Sequence, residues 1–79
     1  MIYLFLANGF EEIEALTPVD MLRRAGADVL TVAIEQGGAV GREVIGAHGI
    51  RVLADVAEKD FVVPEAMDMV VLPGGMPGA

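Results

Sequence analysis

The sequence predicts an α/β fold with a parallel sheet, on the strength of three observations. Two apolar runs, residues 2–7 and 29–34, show no alternation of apolar and polar residues, which is typical of central strands covered on both faces. Between them, apolar residues recur at helical spacing over residues 11–25. A strand, a helix and a strand joined by such short links predict a right-handed βαβ unit with parallel strands.

The predicted helix has the charge distribution expected of its two ends. Three carboxylates, Glu11, Glu12 and Glu14, occupy its first turn, where the helix dipole favours negative charge. Its last turn carries two arginines and is followed by a terminating glycine: Arg23, Arg24 and Gly26. Pro18 leaves the carbonyl of Glu14 without its helical partner, so we expect a kink or a division of the helix there.

A hairpin and a short helix are predicted next. Residues 43–45 and 50–53 flank a glycine-containing loop, as in a β-hairpin. Asp55, with Glu58 three residues later, has the spacing of a capping box and predicts a short helix over residues 56–60.

A third apolar run, residues 69–72, predicts another strand, and a glycine-rich turn follows over residues 73–78. Strands covered on both faces need helices on both sides. One long and one short helix would leave a sheet face and at least one strand edge bare. We therefore expect residues 1–79 to be the N-terminal part of a single larger α/β domain, or one chain of such a domain after cleavage.

Composition excludes several classes of function. The net charge of −7 disfavours nucleic acid and anionic membrane surfaces as partners, because phosphate binding depends on Lys and Arg. With zero cysteines, these residues contain no disulfide and no thiol nucleophile. No apolar run approaches the roughly 18 residues of a membrane span, and no basic segment precedes the first apolar run as in a signal peptide. We therefore expect a cytoplasmic protein.

The sequence predicts neither a cofactor nor a metal site. The glycines after Pro73 are not followed by the Gly-Lys-Ser/Thr of a phosphate-binding loop, and Gly9 is not part of a dinucleotide-binding fingerprint. His48 is the one histidine, whereas zinc sites usually take three or four ligands at defined spacing.

Several motifs together resemble the DJ-1/ThiJ/PfpI family, most closely its DJ-1 and YajL branch. The resemblance covers essentially all 79 residues. It is carried by residues 7–15 (ANGFEEIEA), 17–20 (TPVD), 23–26 (RRAG), 47–50 (AHGI), 54–55 (AD) and 70–75 (VVLPGG).

This resemblance implies a flavodoxin-like three-layer sandwich, usually as a homodimer, and a considerably longer chain. It implies a reactive cysteine on a strained turn, which would lie beyond residue 79, so the missing C-terminal half would have to come from a second chain or from further residues. The family's thiol-binding glutamate matches Glu14. The backbone N–H groups of its oxyanion pocket match Gly74 and Gly75.

A glutamate placed against a thiolate must be protonated to donate a hydrogen bond, since two negative charges would repel. Burial of Glu14 in the complete protein would raise its pKa and keep it neutral. Glu11 and Glu12 are then expected to be solvated first-turn carboxylates. The alternative for Glu14 is also a surface carboxylate favoured by the helix dipole.

His48 allows two interpretations. A single histidine is usually a surface residue or one whose hydrogen bonds are satisfied. In the family dimer, however, this hairpin approaches the partner's active site, so His48 is a possible partner-subunit site residue that assists the neighbouring pocket or binds an anion there.

Two functions remain open for the complete protein. One is a cofactor-independent, cysteine-dependent glyoxalase or deglycase acting on reactive aldehydes. The other is a redox-sensing stress-response protein or holdase chaperone without dedicated catalysis. The 79 residues alone are expected to be inactive, because they lack the nucleophile.

Overall fold

The computed structural model describes residues 1–65 and 69–74. Within them, four parallel strands form one sheet in the order β5-β2-β1-β6, and an antiparallel hairpin, β3-β4, lies apart from it. The elements in chain order are β1 (Ile2–Leu6), α1 (Glu12–Arg24), β2 (Val29–Ala33), a 3-10 turn (Glu35–Gly37), β3 (Glu43–Ile45), β4 (Arg51–Leu53), β5 (Val56–Ala57), a second 3-10 turn (Glu58–Asp60) and β6 (Met69–Val71).

Strand β1 is central, with β2 and β6 as its neighbours. Ile2 pairs with Val29 on one side and with Met69 on the other, so the three strands run in parallel from a common level. The predicted βαβ unit with parallel strands, the hairpin and the third apolar strand are confirmed. Because the strands are parallel, the segments that follow β1, β2 and β6 emerge at the same edge of the sheet, where ligands bind in open α/β folds.

The core lies between α1 and the sheet, and the hairpin adds to it. Its largest fully buried side chains include Leu4 and Leu6 of β1, Phe10 after β1, and Val44 of β3. From α1, Ala15 and Val19 enter this core four residues apart, as one helical face should.

Pro18 does not divide the helix, since α1 is one element of 13 residues with Pro18 inside it. The proline deprives only the Glu14 carbonyl of a donor. Burial of the flanking Ala15 and Val19 holds both parts of the helix against the same core.

The short helix predicted over residues 56–60 is wrong. Val56 and Ala57 form strand β5, which pairs with β2, and only one 3-10 turn follows. Asp55 does not cap a helix: its Oδ2 accepts hydrogen bonds from the backbone N–H and Oγ1 of Thr31 and from Arg23. These bonds hold the chain alongside β2 and favour strand pairing over helix formation.

Strand β6 lies at an edge of the described sheet, and the side chains of Met69 and Val70 are exposed there. The predicted bare edge is therefore present in this part of the chain. No helix within residues 1–65 and 69–74 combines the length and the apolarity that crossing a membrane requires.

Candidate functional site

The turn between β1 and α1 is the point on which the surrounding loops converge. Gly9 has a φ of 88°, a left-handed conformation that favours glycine, and its N–H donates to the Ile45 carbonyl at 2.8 Å. The Asn8 side chain accepts from the Ile45 N–H at 3.0 Å and donates to the Gly38 carbonyl at 2.7 Å. The turn therefore holds the hairpin and the loop after β2 at the carboxyl edge of the sheet.

Glu14 and Gly74, two of the site residues that the resemblance implies, lie in contact with each other. The Gly74 N–H donates to Glu14 Oε1 at 3.3 Å, and the Glu11 N–H donates to the Gly74 carbonyl at 2.9 Å. The N–H and the carbonyl of Gly74 are thus both hydrogen-bonded to the start of α1. Gly75 lies outside the described residues.

The Glu14 side chain is exposed in the described structure. Burial of this side chain was expected of the complete protein and stays a prediction. The contact with Gly74 nevertheless places a carboxylate oxygen on the amide that is expected to bind an oxyanion.

Glu12 is not a solvated carboxylate, and that expectation was wrong. Only 5% of the solvent-accessible surface of Glu12 is exposed. Its Oε2 accepts from the His48 backbone N–H and its Oε1 contacts the His48 ring Nδ1, each at 2.7 Å. The Ala47 N–H donates to the Phe10 carbonyl at 2.8 Å as well. Together these bonds hold the hairpin loop over the start of α1.

The electrostatics of this pair follow from its geometry. Burial alone raises the pKa of the Glu12 carboxyl group. The hydrogen bonds from the His48 ring and backbone outweigh that effect and lower the pKa to about 2. The same hydrogen bond and the negative charges of Glu12 and Glu11 raise the pKa of His48 above its usual 6.5. Near neutral pH the pair is therefore held as a carboxylate beside a readily protonated imidazole.

Glu11, the third of these carboxylates, caps the helix. Its Oε1 accepts from the Ile13 N–H at 3.2 Å. Glu11, Glu12 and His48 can each offer one metal-ligand atom, and the three atoms lie within 4.8 Å of one another.

Sequence reasoning named Glu14 and Gly74 as candidates through the resemblance, and it missed the pairing of Glu12 with His48. The two residues are 36 positions apart and lie on different elements. The available signal was Gly46, which leaves space for the Glu12 carboxylate: a Cβ added there would overlap that side chain. A glycine two residues before a single histidine does not indicate which residue that histidine contacts, so this contact could be found only from the tertiary structure.

The chain resembles DJ-1 proteins in both sequence and structure. It is 41% identical to the DJ-1 homolog B of Arabidopsis thaliana over 73 residues, which are 92% of this chain and 16% of that protein. It matches a solved cysteine-to-alanine mutant of a DJ-1 superfamily protein from Salmonella typhimurium with 40% identity and a TM-score of 0.77, over 95% of this chain and 38% of that one. Oxidized DJ-1 of Toxoplasma gondii matches with 36% identity and a TM-score of 0.79, over 96% and 39% of the two chains.

The chain thus spans well under half the length of these relatives. The sheet and its elements correspond to the N-terminal part of their flavodoxin-like fold. The family model described as the DJ-1/PfpI family matches residues 1–79. Matched over its whole length, the chain belongs to the DJ-1/PfpI family.

Proposed function

We propose that the complete protein is a cysteine-dependent, cofactor-independent enzyme that converts reactive 2-oxoaldehydes, as glyoxalases and deglycases do. In this proposal residues 1–79 supply half of the site. The nucleophilic cysteine comes from residues outside this chain. The observation that carries the proposal is the contact between the Glu14 carboxylate and the Gly74 N–H.

This contact supports two of the roles that the reaction needs. An amide that donates to a carboxylate oxygen at 3.3 Å is oriented to donate to an oxygen that develops negative charge. The bond from the Glu11 N–H to the Gly74 carbonyl fixes the orientation of the turn. A thiol placed beside these groups would displace Glu14 from the Gly74 amide. Glu14, once protonated, would then donate its hydrogen bond to the sulfur.

The reaction is internally balanced. The thiolate adds to the aldehyde carbon of methylglyoxal, a C–S bond forms, and the carbonyl electron pair moves to oxygen, where the Gly74 N–H would stabilise it. A proton then moves from the former aldehyde carbon to the neighbouring ketone carbon, the electron pair on the first oxygen re-forms a carbonyl, and the proton that the thiol released is taken up by the former ketone oxygen, which gives the thioester of lactate. Water hydrolyses the thioester to lactate and restores the thiol. Protonated Glu14 would hold the sulfur during the first step.

The test uses a longer protein that contains this sequence and the family cysteine. We expect Glu14→Ala to lower kcat/KM for methylglyoxal by about 10²–10⁴-fold, the usual contribution of a positioned proton donor. Glu14→Gln, which can still donate a hydrogen bond, should lose less. Glu35→Gln changes an exposed carboxylate on the first 3-10 turn and serves as the control. Activity of Glu14→Ala within twofold of the unaltered protein would refute the assigned role.

The alternative is a redox sensor or holdase in which the same cysteine is oxidised and Glu14 stabilises the product. The likeness to an oxidized DJ-1 structure favours keeping it. Mass spectrometry after peroxide treatment distinguishes the two. A sensor gains two oxygen atoms on one cysteine in a Glu14-dependent manner and does not turn over methylglyoxal.

We also propose that the complete protein is a homodimer that uses the surface beside Glu12 and His48. Ile13 is 73% exposed and Ile50 is 50% exposed, and they flank this contact on the helix and the hairpin. The His48 side chain is 68% exposed, so its ring can reach a partner while it contacts Glu12.

Sedimentation equilibrium tests the dimer. Ile13→Asp should weaken association, whereas Val63→Asp, a change of an equally exposed apolar residue elsewhere, should not. If His48→Ala alters neither dimerisation nor activity, His48 does not belong to the partner's site.

A further inference from the structure

We propose that Glu11, Glu12 and His48 bind a divalent transition metal ion of the zinc class, at a site separate from the Glu14–Gly74 contact. The ligands are one oxygen of each carboxylate and Nδ1 of the imidazole. Nothing in the reaction proposed above uses these three groups as ligands.

The three ligand atoms already converge. They lie within 4.8 Å of one another, and Glu12 Oε1 and His48 Nδ1 are 2.7 Å apart. In a tetrahedral zinc site with bonds of about 2.0–2.2 Å, neighbouring ligand atoms are about 3.3–3.6 Å apart. To admit the ion, the Glu12–His48 pair would open by less than about 1 Å and the Glu11 oxygen would move closer to that pair. The Glu11 side chain would complete three protein ligands and leave a fourth position for water.

The ligands come from two separate elements whose backbones are fixed independently of any ion. Glu11 and Glu12 belong to the start of α1, and His48 lies in the hairpin loop. The Ala47 N–H bond to the Phe10 carbonyl holds the loop beside the helix. The imidazole therefore comes from a segment outside the helix N-terminus, 36 residues after Glu12, and tertiary contacts bring it to the two carboxylates.

The outer contacts are those of a metal site. The second Glu12 oxygen, Oε2, accepts the His48 backbone N–H at 2.7 Å. A Glu11 oxygen accepts the Ile13 N–H at 3.2 Å. Such bonds to ligating carboxylates orient them and typically change metal affinity by about 10–100-fold when removed. Each carboxylate can therefore use one oxygen for the protein and the other for the ion.

The donor set selects the class of ion. An imidazole nitrogen with carboxylate oxygens suits Zn²⁺ and its neighbours, whereas Mg²⁺ and Ca²⁺ prefer oxygen ligands alone. No cysteine is present in the chain to favour Cu(I). Two carboxylates balance the charge of a divalent ion. Binding displaces the proton that lies between Nδ1 and Oε1 into solvent, so no other co-reactant is required.

The first test measures Zn²⁺ binding by isothermal titration calorimetry in a buffer that does not bind zinc. We expect one ion per chain. His48→Ala and Glu11→Gln should each weaken binding at least about tenfold. Glu43→Gln, an exposed carboxylate of the same hairpin, should bind as the unaltered protein does. Mg²⁺ at the same concentration should give no signal.

The ring nitrogen provides a second readout. In ¹⁵N-labelled protein, Zn²⁺ should shift the Nδ1 resonance of His48 much more than the Nε2 resonance. Coordination through Nε2, binding by either variant that is as tight as that of the unaltered protein, or no binding up to about 1 mM would each overturn the proposal. Because His48 is exposed and Glu11 is only partly buried, the variants should fold, and an amide spectrum checks this. If His48→Ala fails to fold, Glu11→Gln with the Nδ1 shift decides the question.

Discussion

Two glutamates of the same helical turn, Glu12 and Glu14, have opposite environments. Glu12 is buried under the hairpin and accepts two hydrogen bonds of 2.7 Å from His48. Glu14 is exposed and accepts one longer bond of 3.3 Å from the Gly74 N–H. Residues two positions apart on a helix point in directions about 200° apart, so each meets a different loop. Glu12 attaches the hairpin to the helix, whereas Glu14 stays exposed beside the turn after β6.

The largest expected effect comes from adding a methyl group beside each carboxylate. A Cβ at Gly46 would overlap the Glu12 carboxylate, which is buried and bound on both oxygens. At Gly74 a Cβ would lie 2.8 Å from Glu14 Oε1, but that exposed side chain can turn away. We expect Gly46→Ala to lower the free energy of unfolding by about 1–3 kcal/mol and Gly74→Ala to cost less than half as much.

Urea denaturation measured on both variants checks this prediction. Equal losses would show that Glu12 is no more rigidly held than Glu14. A third variant, Gly49→Ala, separates steric overlap from backbone strain. Gly49 has a φ of 80° but no atom within 4 Å of an added Cβ.

A smaller effect should follow from neutralising each carboxylate. Glu12→Gln keeps the shape of the side chain but replaces one acceptor oxygen by a donor, which would face a donor on His48. We expect faster amide exchange of His48 and of the hairpin, because two bonds to the loop weaken. Glu14→Gln should leave the exchange rates of these amides unchanged. Loss of hairpin protection in both variants would mean that the two carboxylates do not act separately.

The pH dependence of the Glu12–His48 pair provides the smallest effect. The pKa of Glu12 is lowered from 4.5 to about 2, so its contribution is present above 4.5 and is lost as the pH falls toward 2. The pKa of His48 is raised above 6.5, so the charged part of the contact is present below 6.5 and is lost as the pH rises through the raised value. Hairpin protection should therefore be greatest between these two limits.

Proton NMR of the His48 ring, with a chelator present to remove metal ions, measures this directly. We expect the pKa of His48 to fall toward 6.5 in Glu12→Gln, because the hydrogen bond to Glu12 contributes most to raising it. A smaller fall is expected in Glu11→Gln, which removes only a nearby charge. An unchanged pKa in Glu12→Gln would show that the pair does not form in solution.

Much of the sheet could be predicted from the sequence because apolar runs of about five residues have few alternatives. The runs that became β1, β2 and β6 were recognised with errors of one residue at their ends. The segment after Asp55 was not, because the spacing of Asp55 and Glu58 has two uses. Their oxygens can cap a helix or can bind Thr31 and Glu35 on neighbouring segments, and the structure has the second.

For the candidate site, the residue types and the edge of the sheet followed from the sequence, but the partners did not. The chain by itself determined that carboxylates follow β1 and that a glycine-rich turn follows β6, because an apolar strand must end where polar residues begin. Only the tertiary structure decided which carboxylate meets which loop. That choice depends on the rotation of α1 about its axis and on how closely Gly46 lets the hairpin approach. Both are set by packing between segments that are far apart in the sequence.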